Sequence, residues 1–532
     1  MKKVALTALL LLLIAAESVF ACTIFAVGKE ATTDGSTMVS HTCDSTSDDL
    51  RLWLIPTQEA GTERDVVING RKGQDYSQYP NLGYENGMVV GSYTFTEDTN
   101  QYIHAMYSFI NDKGLAMGES TCGYDRNSEQ GKKLSAAFKN VDGIWDCYMI
   151  QDLALETCST AREAVELMGK LVSEDGWYGS CECINICDGD EAWIFEVYGG
   201  NQWVAVRVPD DMVFVAANRA RVNYFVEDDP ANYLYNPTIK SWAIENDLWD
   251  GQGDFIPCLV YANNPTRVYS TRREWMAMTL LDPSLNLDPE EKDPDHNWPL
   301  FVKPAEKISV ATIHKICSNY YQGTDYDLTK FASAGPFGNP LDPRIEQTAG
   351  RAINSYRCTY IQIANVKSWL PDEAKCLAWF GWCAPDTTYL QPLFASVTEL
   401  PELFTNGVRE EYDPSTGWWT CALVQQTATI NYQSAIQDIY AARDPKMATQ
   451  YQVTAAIQNQ AAKLIKDGKK DQAVQLLTSY VTQTAEDWHE YWTELSNKLI
   501  AKYMFQQVNM KSATVSNEWK QLEQTKVSDL ID

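Results

Sequence analysis

Cys22 stands at the junction VFACTIF (residues 19–25), and everything upstream of it reads as a removable leader. Lys2 and Lys3 form a positive start, and residues 4–16 are uncharged and largely apolar. The small side chains of Val19 and Ala21 bracket Phe20, a pattern that signal peptidase prefers. The apolar run is too short to cross a bilayer comfortably as a helix. Cleavage after Ala21 would make Cys22 the first residue, carrying both a thiol and an α-amine. The amine titrates near ~7.7–8.0 and a free thiol near ~8.5, so the amine can take the thiol's proton near neutral pH. Nucleophile and base would then be fixed together by covalent geometry, and no histidine is required. Two other readings of Cys22 stay open at this level. One is a lipoprotein anchor, against which Val19 and Phe20 speak, because leucine and a small residue are usual there. The other is a structural cysteine.

The residues after Cys22 must bring partners to it. Ile24 to Val27 is an apolar strand, Asp34-Gly35 is a hairpin turn signal, and a second strand follows. The chain is therefore expected to return beside its first strand and to carry residues 41–44 toward Cys22.

Five blocks then follow in order: CTIFAV with DGST and Asp44; NDKGLAMGESTCG (111–123); WIFEVYG, WVAVRVPDD and AANRARV (193–222); NPTRVYSTRREW (264–275); and SWLPDEAKCLAWFG (368–381). Together they resemble the cysteine dipeptidases, a family of the N-terminal-nucleophile hydrolases alongside secernins, bile-salt hydrolase and penicillin V acylase. The resemblance covers Cys22 to about residue 445.

The resemblance implies an α+β fold, a four-layer α-β-β-α sandwich, with a helical C-terminal region. It implies Cys22 as nucleophile and Asp44 as the aspartate that holds the free amine. Asn218, in AANRARV, matches an amide donor to the oxyanion. Arg267 is the candidate for the family's distant arginine, with Arg272 and Arg273 as rivals. His41 stands where bile-salt hydrolase and many relatives have arginine, which puts an arginine-based activation of the thiol in doubt and leaves His41 either to donate a hydrogen bond there or to line the pocket. Thr121 falls where the amidases have asparagine. Glu119 could bind a substrate's free amino group, or form a salt bridge with Arg219 or Arg221. The implied activity is hydrolysis of dipeptides, with no cofactor. The alternatives are an amidase of the same superfamily acting on N-acyl amino acids and a lipid-anchored, non-catalytic binding protein.

Composition is consistent with an exported globular protein. The 532 residues are 45% hydrophobic and 21% charged, with a formal charge of −28. That acidity disfavours nucleic acid and anionic membranes as partners. With no second long apolar run, the chain is expected to leave the membrane once its leader is removed. The expected partners are small peptides, and a homo-oligomer is compatible with the composition. The 14 cysteines could supply disulfides in an exported chain. Cys181-x-Cys183-x3-Cys187 is the densest group, but it lacks the paired Cys and His spacing of a zinc site, so no metal is expected.

The pattern of elements predicts three regions: a leader (1–21), a catalytic domain (22–432) and helices (433–532). Residues 59–84 read as a long loop or flap, not a strand. Residues 143–168 predict two helices, the second capped by Ser159 or Thr160. Strands are expected over 191–208, 360–368 and 375–382. Helices are expected over 310–320, 463–484 and 485–507. The acidic, proline-dense residues 283–304 read as a surface excursion.

Overall fold

The computed structural model describes residues 22–68, 88–264, 268–290 and 296–531. The expected leader and its cleavage point lie outside them, as do Arg267 and residues 69–84 of the expected flap.

The described chain is mixed α and β. One antiparallel sheet runs in the order Phe301–Val302, Val213–Ala216, Thr23–Val27, Thr37–Asp44, Cys358–Val366, Leu377–Trp382, Gln391–Phe394. A second runs Tyr233–Tyr235, Gln202–Val208, Ala192–Gly199, Glu182–Cys187, Ala116–Thr121, Ile110–Asn111, Tyr102–His104, Trp53–Ile55. Their inner strands are buried almost throughout, polar residues included, because both faces are covered. Every residue of Thr23–Val27, Thr37–Asp44, Glu182–Cys187 and Cys358–Val366 is buried.

The two sheets meet face to face. Asn185 Nδ2 crosses the interface to donate to Phe25 O (2.7 Å) and Ser40 O (3.0 Å), and Gln362 Nε2 donates to Met117 O (2.9 Å). Gly118 sits at a close approach of the two sheets. A β-carbon there would lie 2.7 Å from Asn185 Oδ1 and 2.8 Å from the His41 β-carbon. Glycine at 118 thus lets the neighbouring Glu119 come within reach of His41.

Helices cover the outer faces. Cys147–Thr157 and Ala161–Asp175 lie on the second sheet. The latter opens with a capping box in which Thr160 and Glu163 bond reciprocally, as the sequence predicts for Thr160. Val268–Leu281 and Val310–Cys317 lie on the first sheet, as do the long helices Tyr432–Lys466 and Lys470–Tyr503. Trp488 stacks on Tyr389 at 4.4 Å between ring centres, and Trp492 meets the same ring edge-on. A continuous buried core therefore runs from Ile24 to Tyr503, across the expected boundary at residue 432.

Three expectations change. Glu63–Ile68, within the expected loop, is a strand paired with Met88–Thr94. Its apolar end is too short to show a period, and the ribbon is tied down by Val66 in the core together with ion pairs from Arg64 to Asp152 and Glu156. The long C-terminal helices break at Gly468, not near residue 484. Gly468 has φ +76°, a left-handed helix stop, and Ala485 lies buried in mid-helix. Finally, the return after Thr23–Val27 is a loop over residues 28–36, bridged to Ile308 through Thr32, and not a tight two-residue hairpin. The return itself holds: Thr23 pairs with Thr42 and Ile24 with His41.

Candidate active site

Cys22 immediately precedes the central strand Thr23–Val27, and the neighbouring strand Thr37–Asp44 brings His41 and Asp44 beside it. Because Ile24 pairs with His41, the thiol and the imidazole share the face that looks at the second sheet. There Ala116–Thr121 presents Glu119. Cys22 Sγ donates to Glu119 Oε1 at 3.0 Å, and His41 Nε2 lies 3.3 Å from the same oxygen. Thr121 Oγ1 donates to Glu119 Oε2 at 3.3 Å. His41 is held edge-on by the rings of Tyr107 (5.2 Å) and Tyr360 (5.7 Å).

The main chain at Cys22 is fixed from the other side. Its carbonyl oxygen accepts from Ser120 Oγ (3.2 Å) and Arg273 Nη1 (3.1 Å). Arg273 also donates to Thr23 Oγ1, Ala217 O, Asn218 Oδ1 and Tyr269 O. Asn218 adopts φ 58°, the left-handed region that asparagine tolerates better than most residues. Its N–H donates to Ser120 Oγ (2.8 Å) and its Nδ2 to Thr121 O (2.7 Å). The turn carrying it is pinned by buried Glu274, which accepts from Ala217 N (3.1 Å) and pairs with Arg219 (2.7 Å).

Burial pushes the Cys22 thiol well above its ordinary range, and the negative charge of Glu119 pushes it further. Burial alone would also raise Glu119, but the contact and charge of His41 outweigh it and hold the carboxyl low. Asp44 behaves oppositely. Burial lifts its carboxyl to about 8 against the opposing charges of Arg351 and Arg273. Neither carboxylate oxygen of Asp44 has a hydrogen-bond partner among the described residues.

The structure thus gathers Cys22, His41, Asp44, Glu119, Thr121 and Asn218 at one place. Of the three arginines weighed, Arg273 reaches Cys22. Arg272 stacks over Tyr326, its guanidinium 3.9 Å from the ring centre, and Arg267 lies outside the described residues. Glu119 does not pair with Arg219 or Arg221; both lie against Glu274. Glu274 was missed, and Ser120 was read only as part of the Glu119-Ser120-Thr121 signature of its block, with no role of its own. Their signal was weak, since Ser120 stands among polar neighbours in AMGEST and Glu274 follows four polar residues in its helix, so neither is distinctive.

Cys122 and Cys181 form a disulfide, closing the strand pair that carries Thr121 and Glu182. Cys183 and Cys187 are free and buried. Two clusters have ligating atoms within 4.8 Å of one another: Cys22, His41 and Glu119, and Glu119, Cys147 and Glu182. Neither shows as a local sequence spacing, because the members come from separate strands or from a strand and a helix.

Comparison with known proteins agrees in extent with this arrangement. The model of peptidase family C69 matches residues 21–444. A "probable dipeptidase" of Latilactobacillus sakei is 27% identical over 505 residues, 91% of this chain and 95% of that one. A "probable dipeptidase" of Salmonella dublin is 27% identical over 71% of this chain and 81% of its own length. "Probable dipeptidase A" of Streptococcus pyogenes serotype M1 is 24% identical over 83% and 89%.

Proposed function

The chain belongs to peptidase family C69, and on that premise we propose that it is an exported dipeptidase whose nucleophile is Cys22, exposed as the N-terminal residue by signal-peptide cleavage. The observation that carries this reading is the placement of the Cys22 thiol 3.0 Å from the buried Glu119 carboxylate, on a main chain held by Ser120 and Arg273. Similarity to proteins named dipeptidases supports the substrate class. The family match beginning at residue 21 supports the mature start. The two facing sheets with helices outside each are read as the four-layer sandwich of the N-terminal-nucleophile hydrolases.

In this mechanism the freed α-amine takes the thiol proton, and Sγ attacks the peptide carbonyl carbon. Negative charge develops on the carbonyl oxygen, where Asn218 Nδ2 is the available amide donor once it leaves Thr121 O. The ammonium returns its proton to the leaving amine as the C–N bond breaks, producing a thioester. Water, deprotonated by the same amine, then releases the acyl product and restores the thiol. Asp44 is placed to hold that amine: it is buried, next to Cys22 and otherwise without a hydrogen-bond partner among the described residues.

Glu119 supplies the preference for a free amino terminus. As a low-titrating carboxylate it attracts the substrate ammonium, and that cation cancels the charge that otherwise opposes ionisation of the thiol. A dipeptide therefore both docks on Glu119 and activates Cys22, whereas an N-acyl substrate does neither.

The test is the intact mass and N-terminal sequence of the exported protein, followed by dipeptide and N-acyl amino acid assays. An unmodified start at Cys-Thr-Ile-Phe with dipeptide turnover supports the reading. A lipidated or uncleaved Cys22 in an active protein would remove the proposed base. Cys22→Ala is expected to lower kcat by on the order of 10^4–10^6, the scale seen when a nucleophile is deleted.

A further inference from the structure

We propose that Cys22 Sγ, His41 Nε2 and Glu119 Oε1 form a binding site for a thiophilic divalent cation of the Zn2+ type, and that occupancy holds the enzyme inactive. His41 and Glu119 come from strands of the two facing sheets and Cys22 immediately precedes a third strand; all three are buried, so their mutual positions are set by the fold. Sγ to Oε1 is 3.0 Å and Nε2 to Oε1 is 3.3 Å, with all three donors inside 4.8 Å of one another. Donors around a tetrahedral zinc with bonds of ~2.0–2.3 Å lie roughly 3.3–3.8 Å apart. Side-chain rotations of a few tenths of an ångström would open the cluster to that size.

The donor types choose the ion. One thiol, one imidazole and one carboxylate suit zinc or cobalt, while magnesium and calcium prefer oxygen alone. Among the described residues neither His41 nitrogen has a hydrogen-bond partner, although the side chain is 1% exposed. His41 Nε2 faces Glu119 Oε1 at 3.3 Å, and a cation entering between them would take the place of any proton on Nε2 and bind both. On binding, the Cys22 S–H bond breaks, an S–metal bond forms and the proton passes to the buffer; nothing is oxidised or reduced. The sulfur lone pair that would attack a peptide carbonyl is then committed to the metal, and Glu119 can no longer receive a substrate ammonium. Loss of activity rests on the dipeptidase reading, but binding does not.

The experiment titrates Co2+ into the mature protein without substrate and follows the thiolate-to-cobalt charge-transfer band, with Zn2+ added as competitor. One equivalent per chain is expected, with a band that is absent in Cys22→Ala. His41→Ala should bind about 10–100-fold more weakly or worse, a loss already seen when only outer-shell partners of a metal are removed. In wild type, Zn2+ should also protect Cys22 from iodoacetamide, read by peptide mass, so the assignment does not depend on a variant folding. Dipeptide hydrolysis should fall in step with occupancy and return on chelation. No band and no protection would overturn the site. A full band in Cys22→Ala would also overturn it, by moving the metal to Glu119, Cys147 and Glu182. Cobalt binding at Cys22 in a protein that hydrolyses no dipeptide would keep the site and sink the functional reading instead.

Discussion

Arg273 Nη2 donates to Asn218 Oδ1 at 2.7 Å. This contact orients the asparagine amide, because a guanidinium can only donate: Oδ1 must face Arg273, and Nδ2 must turn toward Thr121 and the Cys22 side of the site. The same guanidinium grips the Cys22 carbonyl at 3.1 Å. One buried arginine thus sets both the backbone at Cys22, the proposed nucleophile, and the amide proposed to receive the oxyanion.

Replacing Arg273 should therefore damage stability and catalysis together. Arg273→Met leaves several buried carbonyl and amide oxygens without a donor, and a loss of about 2–4 kcal/mol is expected. Arg273→Lys should rescue little, since a compact ammonium cannot serve acceptors on opposite sides of a planar fork. Urea midpoints of the two variants, measured beside kcat, check this; a lysine variant with wild-type stability would contradict it.

Asp44 gives a stability signature in pH. In a chain whose Cys22 is still blocked by upstream residues, burial lifts the carboxyl from the ordinary 3.8 to about 8. The folded state then keeps a proton that the unfolded state has lost. Stability should fall as pH rises through that interval and level off on either side. Asp44→Asn should abolish the slope and be the more stable protein near pH 8, while losing activity. In a chain starting at Cys22 the new ammonium offers the carboxylate a partner, so the slope should shrink. Denaturation midpoints across pH for blocked and mature forms test both statements.

Glu119→Gln separates thiol activation from substrate docking. Removing the negative charge should let Cys22 ionise more readily, so alkylation by iodoacetamide at fixed pH should accelerate. At the same time kcat/KM for dipeptides should fall roughly 10–100-fold, the value of a charge-assisted contact. Hydrolysis of N-acyl amino acids should be affected far less. An equal loss on both substrate types would show that Glu119 does not recognise the ammonium.

The disulfide between Cys122 and Cys181 closes a loop of sequence separation 59 beside Thr121 and Glu182. Paired replacement by alanine should cost about 2–4 kcal/mol. Because the strands remain bonded through Thr121 and Glu182, activity at low temperature should largely persist. Thermal unfolding and dipeptide turnover of the double variant are the measurements; loss of turnover in a fully folded variant would instead make the bond part of the site.

Local patterns carried much of this protein into view. The return of residues 41–44 to the side of Cys22, the capped helix at Thr160 and the helical C-terminal region all follow from runs of neighbouring residues, where turn chemistry and periodicity act over a few positions. Glu119, Asn218 and Thr121 were singled out as members of blocks, and the fold brings them together. What sequence alone left open were relations across the sheets. Arg267, Arg272 and Arg273 are equivalent as charges within NPTRVYSTRREW, and only the direction of the Val268–Leu281 helix sends Arg273 to Cys22 and Arg272 to Tyr326. The pairing of Arg219 with Glu274 in place of Glu119 depends on which buried carboxylate a folded turn can reach. The strand Glu63–Ile68 was invisible because its apolar end is only three residues long, and the ribbon is held by its partner strand, by Val66 in the core and by ion pairs. The Cys22–His41–Glu119 cluster was equally hidden, since its spacing exists only where two sheets face each other across Gly118.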